Sequence, residues 1–279
     1  YASPRVSPDG HWAAFTASYP EGEDIVVYEL GSNATPRRLT FGGTGRSPLW
    51  SADSTRVAFQ STRDGTASLY WQLADGSEGT ATRLTTAMDG AVHTPDSFSS
   101  DGEHLSFTVE TQGSSSIWLL DLGTGESESL IAEPGGSTSQ SVFSPDGRWI
   151  AYQSTETGQD EIFVQPYPLT RAKYQLPHTL DNHHPAWSAD GEELFYIPGP
   201  GHFEAAPITT QPRFEFGAPV ALANMPMNDA PAVRRRYDVM PDGSGLLGLV
   251  TGGGNNEAAR TINIVYNWFA ELEEKVPVD

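Results

Sequence analysis

A chain of 279 residues with 37% apolar residues, 28 glycines and 21 prolines can bury a large core made of many short strands and tight turns. Its 36 acidic and 16 basic residues leave a formal charge of −20, which disfavours nucleic acid or anionic lipid as a main partner. The lack of cysteine excludes disulfides, thiolate metal sites and cysteine nucleophiles, and no run of eighteen apolar residues is present to span a membrane.

In chain order, residues 1–10 read as strand and turn and show no secretion signal. The turn is Ser7-Pro8-Asp9-Gly10, and it recurs as Ser51-Ala52-Asp53-Ser54, Ser99-Ser100-Asp101-Gly102 and Ser144-Pro145-Asp146-Gly147. Ser188-Ala189-Asp190-Gly191 and Met240-Pro241-Asp242-Gly243 complete the set. Proline presets φ, aspartate bonds its own backbone and glycine admits positive φ, so each tetrad predicts a hairpin turn. An apolar residue stands three before each aspartate: Val6, Trp50, Phe98, Phe143, Trp187 and Val239. Strands are expected after the turns, over 12–16, 56–60, 104–109, 149–153, 193–197 and 245–250. Second runs follow at 25–28, 68–71, 117–120 and 162–164, apolar on both faces as in a sheet sandwiched between sheets. Short outer strands are clearest at 37–40 and 82–85.

Six units of about forty-five residues, four antiparallel strands each, predict an all-β, six-bladed β-propeller. The expected repeats are near 1–44, 45–92, 93–137, 138–181, 182–233 and 234–269. An open solenoid is the competitor, but it needs polar capping repeats and neither end resembles one. The sixth unit offers strands at 235–239, 245–250 and 261–267 but no evident fourth. Either residues upstream of Tyr1 or the tail would cover that edge. The tail, 270–279, is expected to form a short helix, since Phe269, Leu272 and Val276 fall at helical spacing.

The aromatic-Ser-Pro-Asp-Gly repeat resembles the TolB-type propeller repeat over nearly the whole chain. Residues 141–277 also resemble the C-terminal propellers of bacterial receptor-like serine/threonine kinases and regulators. The stretches that carry this are 144–152, 161–168, 185–196 and 262–272. The resemblance implies a sensing or docking module and brings no catalytic motif with it.

The chain has no Gly-x-Ser-x-Gly, no His-Glu-x-x-His, no phosphate-binding glycine loop and no EF-hand loop. Chemistry is therefore sought at the channel mouth, expected just before each innermost strand. Those positions are Tyr1-Ala2-Ser3, Gly45-Arg46-Ser47, His93-Thr94-Pro95, Thr138-Ser139-Gln140, Asn182-His183-His184 and Arg234-Arg235-Arg236. One reading is a divalent metal (Zn, Mn or Ni) held by His93, His183 and His184, with Gln140 beside it, serving a lyase or hydrolase of acidic saccharides. The other is a carboxylate or phosphate held by Arg46, Arg235 and Arg236, with Gln140 also in the ligand site. Against both stand simpler roles: histidines bonded to loop backbone, and arginines paired with Asp96, Asp181 or Asp238. The repeat aspartates are read as turn formers, and Gly252-Gly253-Gly254-Asn255-Asn256 as a loop able to act as a lid. The functional expectation is a non-catalytic propeller that binds a protein or a small anion at the channel mouth. A charge of −20 favours a monomer at low salt. Acid excess with only two lysines, Lys173 and Lys275, fits either a salt-adapted bacterial protein or a GC-rich genome. A periplasmic or extracellular location is favoured.

Overall fold

The repeat tetrads organise the chain as the physics of turns requires. Ser7, Ser51, Ser99, Ser144 and Ser188 each donate their hydroxyl to the aspartate two residues on, at 2.5–2.6 Å. In all six repeats the same carboxylate accepts a backbone N–H two residues later, at 2.9–3.0 Å. The glycine that closes the tetrad lies at positive φ, as Gly147 does at 69°, and Ser54 adopts 59° where the second repeat lacks glycine. These bonds hold the carboxylates of Asp53, Asp101 and Asp190 below their ordinary range, and the Ser244 hydroxyl and N–H do the same for Asp242. Replacing Asp146 by alanine strips the turn of its bonds from Ser144 and from the Arg148 N–H. Thermal unfolding is expected to register a loss of about 1 kcal/mol.

The computed structural model describes residues 1–77, 79–177, 181–222 and 230–248, and the backbone of 264–266. The first sheet is β1 (Ala2–Val6), β2 (Trp12–Tyr19), β3 (Gly22–Glu29) and β4 (Arg37–Arg38). The second is β5 (Gly45–Trp50), β6 (Arg56–Ser61), β7 (Ser68–Leu73) and β8 (Thr82–Arg83). The third comprises β9 (Val92–Phe98), β10 (His104–Thr111), β11 (Ser114–Asp121) and β12 (Ser127–Ile131). The fourth comprises β13 (Thr138–Phe143), β14 (Trp149–Ser154), β15 (Glu161–Pro166) and β16 (Tyr174–Gln175). The fifth has β17 (His183–Trp187), β18 (Glu193–Ile197), β19 (Glu204–Thr209), β20 (Glu215–Phe216) and β21 (Val220–Ala221). The sixth has three described strands, β22 (Tyr237–Val239), β23 (Gly245–Gly248) and β24 (Ile264–Tyr266). The expected tail helix and the glycine-rich loop at 252–256 lie outside the described residues. No helix among the described residues is long and apolar enough to cross a membrane.

Neighbouring sheets share apolar clusters, which is why the middle strands are buried on both faces. Ala14, Ile25 and Val27 of the first sheet pack with Trp50, Val57 and Phe59 of the second. Ala151, Ile162 and Val164 of the fourth pack with Trp187, Leu194 and Tyr196 of the fifth. The ring then closes: Val6, Phe15 and Val26 of the first sheet share a cluster with Met240 and Leu247 of the sixth. The Val6 N–H donates to Asp238 Oδ2 at 2.9 Å, across the first–sixth boundary. Phe143 N–H makes the equivalent bond to Ser97 Oγ at 3.1 Å, between the fourth and third sheets. An open solenoid would leave the first and sixth sheets apart.

Two expectations are corrected. The fifth sheet has a fifth strand, because its outer edge is broken: β20 pairs with one end of β19 and β21 with the other. Pro219 lies in the break and has no N–H to offer a ladder. Most of the channel-mouth residues of the first five sheets also lie within the innermost strands rather than before them, whereas Arg234, Arg235 and Arg236 precede β22 as expected. Ser3, Ser47, Gln140 and His184, each six before a repeat aspartate, take φ of 49–61° at a bulge in β1, β5, β13 and β17. A bulge lets a strand turn toward the axis without ending.

Candidate functional site

The six innermost strands converge on the axis and leave a funnel of about 370 Å³, open toward the repeat turns. Its walls include Leu49, Val142 and Ala186, backed by Trp50, Phe143 and Trp187. The indoles are fixed from outside the cavity. Trp50 Nε1 donates to the Arg5 carbonyl at 3.1 Å and Trp187 Nε1 to the Val142 carbonyl at 3.2 Å, each reaching the preceding sheet.

The funnel narrows onto charged groups. Arg235 is 8% exposed; its Nη1 donates to the Pro185 carbonyl and its Nη2 to Asp238 Oδ1, both at 2.7 Å. Its guanidinium also lies over the Tyr237 ring, 5.3 Å from the centroid. The remaining donor, Arg235 Nε, is buried and has no hydrogen-bond partner. Arg5 Nη1 reaches only carbonyls, those of Pro4 at 2.5 Å and Arg235 at 3.2 Å. Burial, with Arg235 alongside, pulls the Arg5 guanidinium down to about 9. Arg234 pairs with Asp96 Oδ1 at 2.5 Å, and the other Asp96 oxygen accepts from Thr108 Oγ1 at 2.7 Å and Ser141 Oγ at 3.2 Å. Three guanidiniums thus face two carboxylates, one positive charge in excess inside an acidic protein.

The opposite mouth of the channel is covered by residues 230–236. The Val233 carbonyl accepts from His184 Nε2 at 2.7 Å and from Gln140 Nε2 at 3.3 Å; Pro231 O takes a second Gln140 bond at 3.2 Å. His183 Nδ1 lies 2.6 Å from His184 Nδ1. Because His184 Nε2 faces a carbonyl it carries the proton, so its Nδ1 accepts and His183 Nδ1 donates. Burial lowers both imidazoles, His183 to about 4 and His184 to about 3, so both are neutral at pH 7. Beside them a groove of about 420 Å³ is lined by Gln140, Gln153, Asp160 and Thr108. Burial raises the Asp160 carboxyl.

The other candidate residues lie elsewhere. His93 hydrogen-bonds Thr85 through Nδ1 at 2.9 Å, packs on Phe107 and lines a separate groove with Met88 and Trp118. It is not grouped with His183 and His184. Arg46 is exposed and pairs with Glu23 at 2.6 Å. Arg236 is half-buried and already engaged, and Asp181 is exposed. Among the described residues, the grouping of three potential metal ligands within reach of one another is Asp101, Glu103 and His104, at a repeat turn. Sequence reasoning named Arg235, Asp96 and Asp238 but missed Arg5. The available signal was alignment: Arg5 and Asp238 both stand four before their repeat aspartates, in sheets that become neighbours only when the ring closes.

Residues 78–213 match the TolB beta propeller domain family. The fold is a TolB-like β-propeller. A TolB homologue of Chlorobium luteolum is 32% identical over 127 residues, covering 44% of this chain and 27% of that protein. The Tol-Pal system protein TolB of Francisella tularensis is 25% identical over 158 residues, covering 56% of this chain and 36% of its own. The chain therefore spans about a third of the length of these curated relatives. Among solved structures, TolB from Acinetobacter baumannii superimposes with a TM-score of 0.71 at 20% identity, over 87% of this chain and 59% of that one. An oligogalacturonate lyase in complex with manganese superimposes with a TM-score of 0.61 at 15% identity, over 90% and 70%. Both likenesses concern the TolB-like fold alone.

Proposed function

We propose that this TolB-like propeller is a non-catalytic binding module, the sensor or docking part of a larger bacterial protein, with the turn-face funnel as its ligand site. The observation that carries the reading is the funnel itself: apolar walls from several sheets above a buried Arg235 with a donor left over. Small-molecule sites have this make-up, mostly apolar with a few placed polar groups. The resemblance of residues 141–277 to receptor-like kinase propellers supports the sensor role. A periplasmic or extracellular location and salt adaptation belong to the same proposal.

The test blocks the rim. Ala52 and Ala189 sit in repeat tetrads at the funnel mouth, so Ala52→Arg with Ala189→Arg lays two long side chains across it. In a thermal-shift screen of amphipathic small molecules, wild type should be stabilised by some that leave the double variant unmoved. Equal responses from both proteins would place binding elsewhere.

A second reading, a metal-dependent lyase or hydrolase of acidic saccharides, is favoured by the neutral pair His183 and His184 and by the fold likeness to the manganese-bound lyase. Neutral imidazole is the ligating form. A metal on His184, however, must displace either its bond to His183 or its bond to Val233. Elemental analysis of untagged protein purified without chelator separates the readings. Stoichiometric metal, lost in His183→Ala/His184→Ala, would favour the enzyme.

A further inference from the structure

The charges at the funnel floor do not balance, and the imbalance has a direction. Asp96 spends its oxygens on Arg234, Thr108 and Ser141, and Asp238 spends its own on Arg235 and the Val6 N–H. Neither carboxylate makes a hydrogen bond to Arg5, whose partners are two backbone carbonyls. Arg235, more than nine-tenths buried, keeps Nε unpartnered, although a buried guanidinium N–H without an acceptor is costly. Both arginines line the same funnel.

We infer that the funnel binds a small monocarboxylate with an apolar body, the carboxylate seated on Arg5 and Arg235 at the floor and the body against the walls that Leu49, Val142 and Ala186 form in front of Trp50 and Trp187. The inference rests on the binding role proposed above and names the ligand class. One excess positive charge is neutralised by a monoanion, whereas the dianion that makes up about half of inorganic phosphate at neutral pH would overshoot it beside Asp96 and Asp238. Beyond Arg5 and Arg235 the funnel lining holds no further cation for the second group of a dicarboxylate. A seated carboxylate would offset the repulsion from Arg235 that, after burial, lowers Arg5.

The probes are 3-phenylpropionate, its neutral amide 3-phenylpropionamide, and inorganic phosphate, read by tryptophan fluorescence and by calorimetry. Arg5→Gln is the variant of choice, because it removes the charge while giving up only bonds to carbonyls; Arg235→Lys, which retains charge but loses Nε, is the second. Wild type should respond saturably to the acid, with the amide and both variants weaker by about tenfold or more. Equal binding of acid and amide would overturn the carboxylate while leaving the funnel a binding site. Phosphate binding more tightly than the acid would overturn the choice of monoanion. No response to the acid up to its solubility limit would overturn the inference, and the rim-block screen would then judge the binding role by itself.

Discussion

Lowering the pH from 7 to 5 should destabilise this protein by about 4 kcal/mol through His183 and His184 alone. The sign follows from their neutrality in the fold. An unfolded imidazole titrates near 6.5, whereas the folded values are about 4 and about 3. Between pH 6.5 and about 4 the unfolded chain takes up protons that the folded chain refuses, so stability falls as pH falls. Each imidazole contributes about 1.4 kcal/mol per unit over that window, or about 2 kcal/mol by pH 5. For a chain of this length the melting temperature should drop by roughly 5–8 °C. His93, lowered by burial to about 4, acts in the same direction. The repeat aspartates do not confuse the measurement. Their folded values are depressed, so the stability they contribute is lost as pH falls from the ordinary carboxylate value downward, beneath the span from pH 7 to 5. Melts of wild type and His184→Gln at pH 7, 6 and 5 check the expectation. The variant keeps a donor for the Val233 carbonyl but loses one titrating group, so its slope should be about half that of the pair. A melting temperature that stays level from pH 7 to 5 in wild type would show that the pair is solvated or already charged.

Asp96→Ala should cost about 3–5 kcal/mol, far more than any rim substitution. Asp96 has no exposed side-chain surface and joins β9 to Thr108 on β10, Ser141 on β13 and Arg234 ahead of β22. Truncation strands a partly buried guanidinium and two hydroxyls together, and the cost of unpaired buried groups exceeds the net worth of the bonds. Asp96→Asn, which keeps the acceptor and drops the charge, should fall between. Arg46→Ala is the contrast: its guanidinium is 62% exposed and its pair with Glu23 is screened by water, so less than about 1 kcal/mol is expected. Urea midpoints measured side by side decide the matter. A loss from Asp96→Ala as small as that from Arg46→Ala would mean that the axial charges decorate the ring and do not brace it.

The amino-acid sequence alone determined the architecture of this protein, because a propeller is local physics repeated. Each tetrad built on a repeat aspartate makes its own turn from bonds within a few residues, and a strand-length apolar run follows it. Six copies in register leave little else to build. Outer strands were harder to read: those expected at 37–40 and 82–85 pair only over Arg37–Arg38 and Thr82–Arg83. Beyond that point the N–H groups of Leu39 and Thr40 both turn to one carbonyl, that of Ile25, a choice made by the neighbouring strand. What only the tertiary structure decided is the content of the axis. His93, His183 and His184 fall in the same stretch of their repeats, six to eight before the aspartate, yet the bulge at His184 and the segment around Val233 bury two of them together while His93 faces a groove between sheets. Arg5 and Asp238 are 233 positions apart in the chain and become partners in one charged floor only through ring closure. Side-chain chemistry at an axis depends on which strands meet there, and no local pattern encodes that meeting.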